Sequence, residues 1–383
     1  MYKTYKMANK RRTIKKNSNQ VPRALAPPQA AVKTAAKSRR QRQQRVKRSV
    51  VLTSAGKNFL KATLTPPDCP IGQFDGIPDD FDGRVLCKTF TSTSAVPSFT
   101  AGRDSFIVML PIPGYSYFYG ELVTGNINLV PVQSDDFATL FPVGYETSNV
   151  SSYRYAGMSM EIIPTVNAMT WTGSVQVTRG VVTVSVEATS SSAMRYTVGG
   201  LGPLLFTSKP DVVHPFNMGC YCTSRPTNHD FNFLPILTNT AYSEVAITAY
   251  GASKTAGFTT TQGFIGLGDM ECIIYKIPAY STTGNVGTIR TWANVEFTIP
   301  STSSFYEYAR LSPPEDKLAL ALAKRAYQEM SLCVPYYDND NLWARVWEWA
   351  KKAAQALSYV PGPVGGVASG FSMMATGLDA LTL

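Results

Sequence analysis

The sequence predicts an all-β protein, an antiparallel β-sandwich or jelly roll, with a basic arm before it and amphipathic helices after it. Three observations carry that reading. Short runs rich in Val, Ile, Thr and Tyr recur between clusters of Gly, Pro, Ser and Asn. All the net positive charge lies at one end of the chain. Near the other end the apolar period changes from two to that of a helix.

The arm comes first. Residues 1–67 hold 18 Lys plus Arg and no acid, the first being Asp68. The other 18 basic residues face all 26 acids, so the formal +10 is +18 on the arm and −8 on the rest. Residues 1–50 combine like charge with little apolar side chain, and are expected to be disordered when free. Their clusters "KRRTIKK" (10–16) and "KSRRQRQQRVKR" (37–48) suit polyphosphate, whose counterions they would release. The candidate contacts are Lys10, Arg11, Arg12, Lys15, Lys16, Arg39, Arg40, Arg42, Arg45, Lys47 and Arg48. A nuclear address or a solubility tail is the alternative reading of such a run.

The body, 51–310, is long enough for one large core. Its strand-like runs include "GRVLCKTF", "DSFIVMLPI", "YRYAGMSMEII", "TGSVQVTRGVVTVSVEA", "SEVAITAY", "MECIIYKI" and "TIRTWANVEFTI". Eight or so strands favour a closed sandwich, which hides sheet edges. The polar stretch 187–243 breaks the rhythm and reads as a surface insertion. There is no internal repeat.

Several chemistries are excluded. The six Cys lie too far apart for a zinc site, and "CYC" at 220–222 reads as a strand with alternating faces. The two histidines, His214 and His229, adjoin no nucleophile motif, and no phosphate-binding glycine loop occurs. Turnover catalysis is therefore not expected. The basic N-terminus has no apolar core after it, so no secretory leader is expected.

Beyond the body, 311–339 holds an amphipathic segment, "SPPEDKLALALAKRAYQEM" (312–330), with Ser312 as its expected N-cap. The tail, 340–383, opens on a second. Leu342, Val346, Trp349, Ala353 and Leu357 follow one stripe, flanked by Trp343, Trp347 and Ala350, with Arg345, Glu348, Lys352 and Gln355 opposite. Tryptophan against a mildly cationic face suits a bilayer interface, and an internally packed helix is the alternative. Pro361 and Pro363 argue against a regular membrane-spanning helix beyond it.

Four stretches resemble the capsid precursors of the insect nodaviruses. They are "FLKATLTPPDCP" with "GIPDDFDGRV" (59–85), "SFTAGRDSFIVMLPIPG" (98–114), "SSYRYAGMSMEIIPT" (151–165) and "LWARVWEWAKKAAQALSYVPGPVGGVASG" (342–370). The resemblance implies an eight-stranded jelly-roll subunit and an icosahedral shell of identical copies assembled in the host cytoplasm. It also implies packaged single-stranded RNA, an unidentified host receptor, and a single-turnover self-cleavage that frees the tail to act on a host membrane. By position it makes Asn339 the scissile residue, Asn339-Asp340 the cut bond and Asp68 the catalytic carboxyl. The side-chain amide of Asn339 would attack its own main-chain carbonyl and expel the amine of Asp340. Asp68, buried among subunits with a raised pKa, would polarise that carbonyl as a neutral acid. From the residues alone, Asp68 is a turn residue after Pro66-Pro67 and Asn339 a polar loop residue. Asp340 stands where relatives carry a small residue, and Asn341-Leu342 is a competing bond. The resemblance further implies calcium at subunit contacts through Asp230. Two other family acids fall here on Asn232 and Gly202, which leaves Asp75, Asp79, Asp80 and Asp82 as another possible ligand cluster.

Overall fold

The computed structural model describes residues 52–134, 150–165, 173–190, 193–236, 243–247, 253–258, 265–279 and 287–358. The arm lies outside these residues, and with it every Lys and Arg assigned above to RNA.

Eight strands form the frame. In chain order they are β1 (Arg84–Ala95), β2 (Ser105–Met109), β3 (Ser152–Pro164), β4 (Ser174–Gly180), β5 (Val212–Pro215), β6 (Cys220–Thr223), β7 (Cys272–Ile277) and β8 (Gly287–Thr298). One sheet orders them β1-β8-β3-β6 and the other β2-β7-β4-β5, with every one of these pairings antiparallel. Two interlocked Greek keys of this order make a jelly roll. Short strands extend both sheets: Arg310–Leu311 beside β1, Cys333–Val334 beside β6, and Tyr115–Val123 beside β2.

Both sheets are covered on both faces, which explains why β2 (SFIVM) is buried throughout instead of alternating. Between them lies the main core, with Met158, Met160 and Ile162 of β3 against Val175, Val177, Ile273 and Tyr275. The far face of the second sheet carries Phe106, Val108 and Phe118 under Tyr196, Val198, Leu201 and Leu205. The far face of the first is covered by helices.

Two findings depart from the sequence reading. The stretch 187–243 supplies β5 and β6, two of the eight frame strands, along with outlying strands at Ala193–Gly199 and Leu234–Pro235. And the body contains a helix, α1 (Ser54–Leu64), that belongs with the later helices α2 (Lys317–Glu329) and α3 (Leu342–Ser358).

Helices α1 and α2 are joined by one buried carboxylate. Asp316, not Ser312, caps α2, accepting from the Ala319 amide at 3.0 Å. Pro313 and Pro314 keep the preceding residues extended, so the helix begins later. Asp316 also accepts from the amide and hydroxyl of Thr53, at 2.8 and 2.9 Å, and Thr53 in turn caps α1 through the Gly56 amide. Two helix N-termini thus share one anion, as their dipoles favour. Gly56 permits the contact, since a Cβ there would lie 2.3 Å from the Asp316 carboxylate.

Candidate cleavage site and stored tail

The Asp68 turn is placed by the end of α1. A helix C-terminus leaves carbonyls without partners, and here three distant side chains fill them. Asn294 of β8 donates to Ala62 at 2.9 Å, Tyr327 of α2 to Thr63 at 3.1 Å, and Thr223 of β6 to Leu64 at 3.2 Å. Thr63 itself donates to the Ala156 carbonyl at 2.7 Å. At this point the β3–β8 register shifts, so Tyr155 and Met158 both reach the core, and Gly157 lies under the helix end. A Cβ on Gly157 would stand 2.2 Å from the Ala62 carbonyl oxygen. Gly157→Ala is therefore expected to cost about 1–3 kcal/mol, as overpacking does. Thermal denaturation of the variant checks this loss.

Past α1, Pro66–Asp68 forms one 3-10 turn, with Pro66 buried and Asp68 half-buried. The turn packs on β3 and β8. Its neighbour Cys69 is shielded, and burial pushes the thiol up to about 11; Lys61 opposes this, while Asp75 and Asp68 add to it. The field of Asp68 also reaches the buried Tyr221 phenol.

The second turn, Tyr336–Asn341, packs on β3 and β6. Upstream it is anchored by Cys333–Val334, where Cys333 faces Cys222 across the ladder with Cα atoms 4.1 Å apart. Tyr336 abuts Gly219, whose φ of +62° suits glycine and whose Cβ would lie 2.8 Å from that of Tyr336. Asp338 and Asn341 are exposed; the side chains of Asn339 and Asp340 lie outside the described residues. Both predicted turns thus pack on β3, the Pro66–Asp68 turn also against β8 and the Tyr336–Asn341 turn also against β6.

Downstream, α3 is held by side chains alone. Leu342, Val346, Ala350 and Ala353 are its buried stripe. Trp349 lies on the flank instead, because Ala350 takes the central position; the Leu357 side chain lies outside the described residues. Trp343 and Trp347 are half-buried beneath the ammonium groups of Lys61 and Lys57, at 5.3 and 5.2 Å from the ring centres. The Trp349 indole donates to Glu329 at 3.1 Å, and Glu329 also pairs with Arg325. Arg345, Glu348 and Lys352 are exposed. Among the described residues no helix is long and apolar enough to cross a membrane.

The Glu329 contact has a definite pH dependence. Hydrogen bonding from Arg325 lowers its pKa below the ordinary 4.5, with the Trp349 indole adding to this. A depressed carboxylate stabilises the fold above its unfolded pKa and loses that contribution as pH falls through the folded value. The contact is thus expected to hold at pH ~5, where an ordinary carboxylate is still ionised. Tryptophan fluorescence of uncut particles should change little between neutral pH and that point, whereas Glu329→Gln should alter it at neutral pH.

The acids considered for calcium are differently employed. Arg154 is buried against Glu296 (2.7 Å) and bound to Asp79, with its guanidinium 4.1 Å from the Phe233 ring centre. Asp75 pairs with Arg310 at 3.5 Å, and Asp230 is exposed. Among the described residues no three Asp, Glu, His or Cys side chains come together as a metal site.

Comparison with known proteins bears on both turns. A model of the Peptidase A6 family matches residues 52–380. The capsid protein alpha of Boolarra virus is 31% identical over 84% of this chain and 86% of its own. That of Flock house virus is 30% identical over 86% and 84%, and that of Pariacoto virus 30% over 94% and 95%. Among solved structures, a chain of the T13 IBDV viral particle gives a TM-score of 0.48 at 12% identity, over 78% of this chain and 98% of that one. The jelly-roll assignment rests on the strand order above. With the family model spanning nearly all of the described body and tail, this chain belongs to the Peptidase A6 family, the self-cleaving capsid proteins of the nodaviruses.

Proposed function

We propose that this capsid protein packages single-stranded RNA through residues 1–50, cuts itself once at Asn339-Asp340 after assembly, and releases 340–383 to breach a host membrane. The observation that carries the reading is the asymmetry around the 336–341 turn. The chain before it is stitched into a sheet, while among the described residues the helix after it is held without strand pairing, by packing, two lysines over tryptophans, the Trp349 indole on Glu329 and Arg325 on the Ala353 carbonyl. Cutting between them leaves the body intact and gives the tail a separate fate.

The chemistry balances without a co-reactant. Nδ2 of Asn339 bonds to its own carbonyl carbon, closing a five-membered succinimide, and the C–N bond to Asp340 breaks. Nδ2 gives up one proton and the leaving amine takes one. A protonated Asp68, brought up by packing of subunits, would polarise the carbonyl and serve that exchange. Water later opens the ring, so each chain reacts once. Calcium enters no step, and Asp230 would need carboxylates from a second copy to bind it.

The membrane role is tested on the tail itself. Synthetic 340–383 is expected to release dye from liposomes, and Trp343, Trp347 and Trp349 changed together to Ser should suppress release at least about tenfold, since apolar burial drives interfacial binding. Undiminished leakage from the triple variant would reduce these tryptophans to packing residues.

A further inference from the structure

The strand that leads into the scissile turn, Cys333–Val334, has two residues and lies at the edge of its sheet beside β6. Its ladder sets Cys333 opposite Cys222, while next to them the Thr223 amide donates to the Leu332 carbonyl at 3.0 Å. The cysteines are thus a non-hydrogen-bonded pair, the closer of the two antiparallel spacings, with Cα atoms 4.1 Å apart. That is well inside the limit of about 7 Å beyond which two cysteines cannot be bridged. Both side chains are buried in the core between the sheets. Among the described residues no other two cysteines are so placed. Cys220, on the same face of β6, has Ile162 as its partner on β3, and Cys69, Cys87 and Cys272 are unbridged.

We propose that Cys222 and Cys333 form an intrachain disulfide in the virion, which fastens the strand before the scissile turn to the sheet and holds the new C-terminus of the cut body there. The bond rests on the ladder geometry; its role at a new C-terminus rests on the cut falling at Asn339-Asp340. After that cut the chain ends six residues beyond Cys333. A two-residue edge strand beside a chain end frays readily. Here fraying would disturb two cores, since Cys333 packs between the sheets and Val334 packs with the helices. The disulfide spans 111 positions, and long loops are those whose closure restricts the unfolded chain most. In a reducing cytoplasm the pair stays as thiols, so the bond closes after the particle leaves the cell. The oxidant is a peroxide, small enough to enter as the edge strand opens. One thiolate bonds to a peroxide oxygen, the O–O bond breaks and hydroxide leaves, giving a sulfenic acid. The second sulfur then bonds to the first and water leaves. Two thiols and one hydrogen peroxide thus become one disulfide and two waters, with two electrons passing to oxygen.

The test compares virions kept under dithiothreitol with virions exposed to dilute hydrogen peroxide. Free thiols are alkylated after denaturation without reductant, and the digests are mapped by mass spectrometry. Peroxide-treated particles should give linked peptides carrying Cys222 and Cys333, lighter by two hydrogens, with Cys69, Cys87, Cys220 and Cys272 alkylated. Under dithiothreitol all six should be alkylated. Oxidised particles should melt at least about 5 °C above reduced ones, and Cys333→Ala particles should melt with the reduced form under both conditions. The two wild-type forms decide the matter even if the variant fails to assemble. Cys222 and Cys333 alkylated after peroxide treatment, or linked to other partners, would overturn the bond. Equal melting of linked and unlinked particles would overturn its role. Wild-type particles that carry the linked peptides but stay uncut would remove the cleavage reading and leave the bond.

Discussion

Particles of Asn339→Ala and of Asp68→Asn are expected to assemble normally and remain at full length. On the proposed mechanism the first substitution deletes the nucleophile and the second the proton donor. Both lie in turns outside the frame strands, Asp68 in the 3-10 turn after α1 and Asn339 in the turn after the last strand. The expected loss is large, at least about 100-fold in rate, because a carbonyl attacked by an amide has little intrinsic reactivity to fall back on. Uncut particles should also fail to breach membranes, as α3 stays tied through the 336–341 turn to Cys333–Val334 in the sheet. Gel analysis of purified particles, followed by a liposome assay on the same preparations, checks both points. A cut Asp68→Asn particle would assign the carboxyl role to another residue.

Deleting residues 1–49 should leave the jelly roll folded and strip the particles of most RNA. The deleted segment carries most of the basic residues that precede the first acid, while residues 68–383 are net negative. A protein that neutralises six to ten phosphates loses roughly 10³–10⁵ in affinity between low and moderate salt, which marks such binding as carried by its basic residues. Loss of the arm should therefore cut encapsidated RNA at least about tenfold at moderate salt. The absorbance ratio of purified particles reads this directly. Truncated particles with normal RNA at raised salt would place the packaging charge elsewhere.

The frame of the fold was legible because its long strands, β1, β3 and β8, are β-branched or aromatic runs set off by turn residues. β5 was not: it has four residues and ends in Pro215. The strand read at 220–222 is present as β6, but it is buried on both faces instead of alternating, and it lies inside the stretch taken for a surface insertion. Helix α1 was equally hidden. It is short, has Gly56 in its first turn, and its reason to be helical lies 263 positions away in the Asp316 carboxylate that bonds Thr53. The same carboxylate explains why Ser312 was the wrong cap: four residues before the helix, it offered only the local pattern. At the site, Asp68 and Asn339 could be named only through the family resemblance. The groups that position the Asp68 turn, Asn294, Thr223 and Tyr327, come from three distant elements and leave no sequence signature.

Coupling of the cut to assembly is the central claim, and intact-mass spectrometry of wild-type protein before and after assembly tests it most directly. Both turns pack on β3 in the single chain, and on the proposed mechanism it is packing of subunits that desolvates Asp68 and Asn339 into reactive geometry. Unassembled protein is expected to keep its full 41.8 kDa. Assembled particles should slowly accumulate residues 1–339 together with a fragment whose N-terminus is Asp340. A fragment beginning at Leu342 would move the cut to Asn341, and cleavage of the unassembled chain at the same rate would contradict the account.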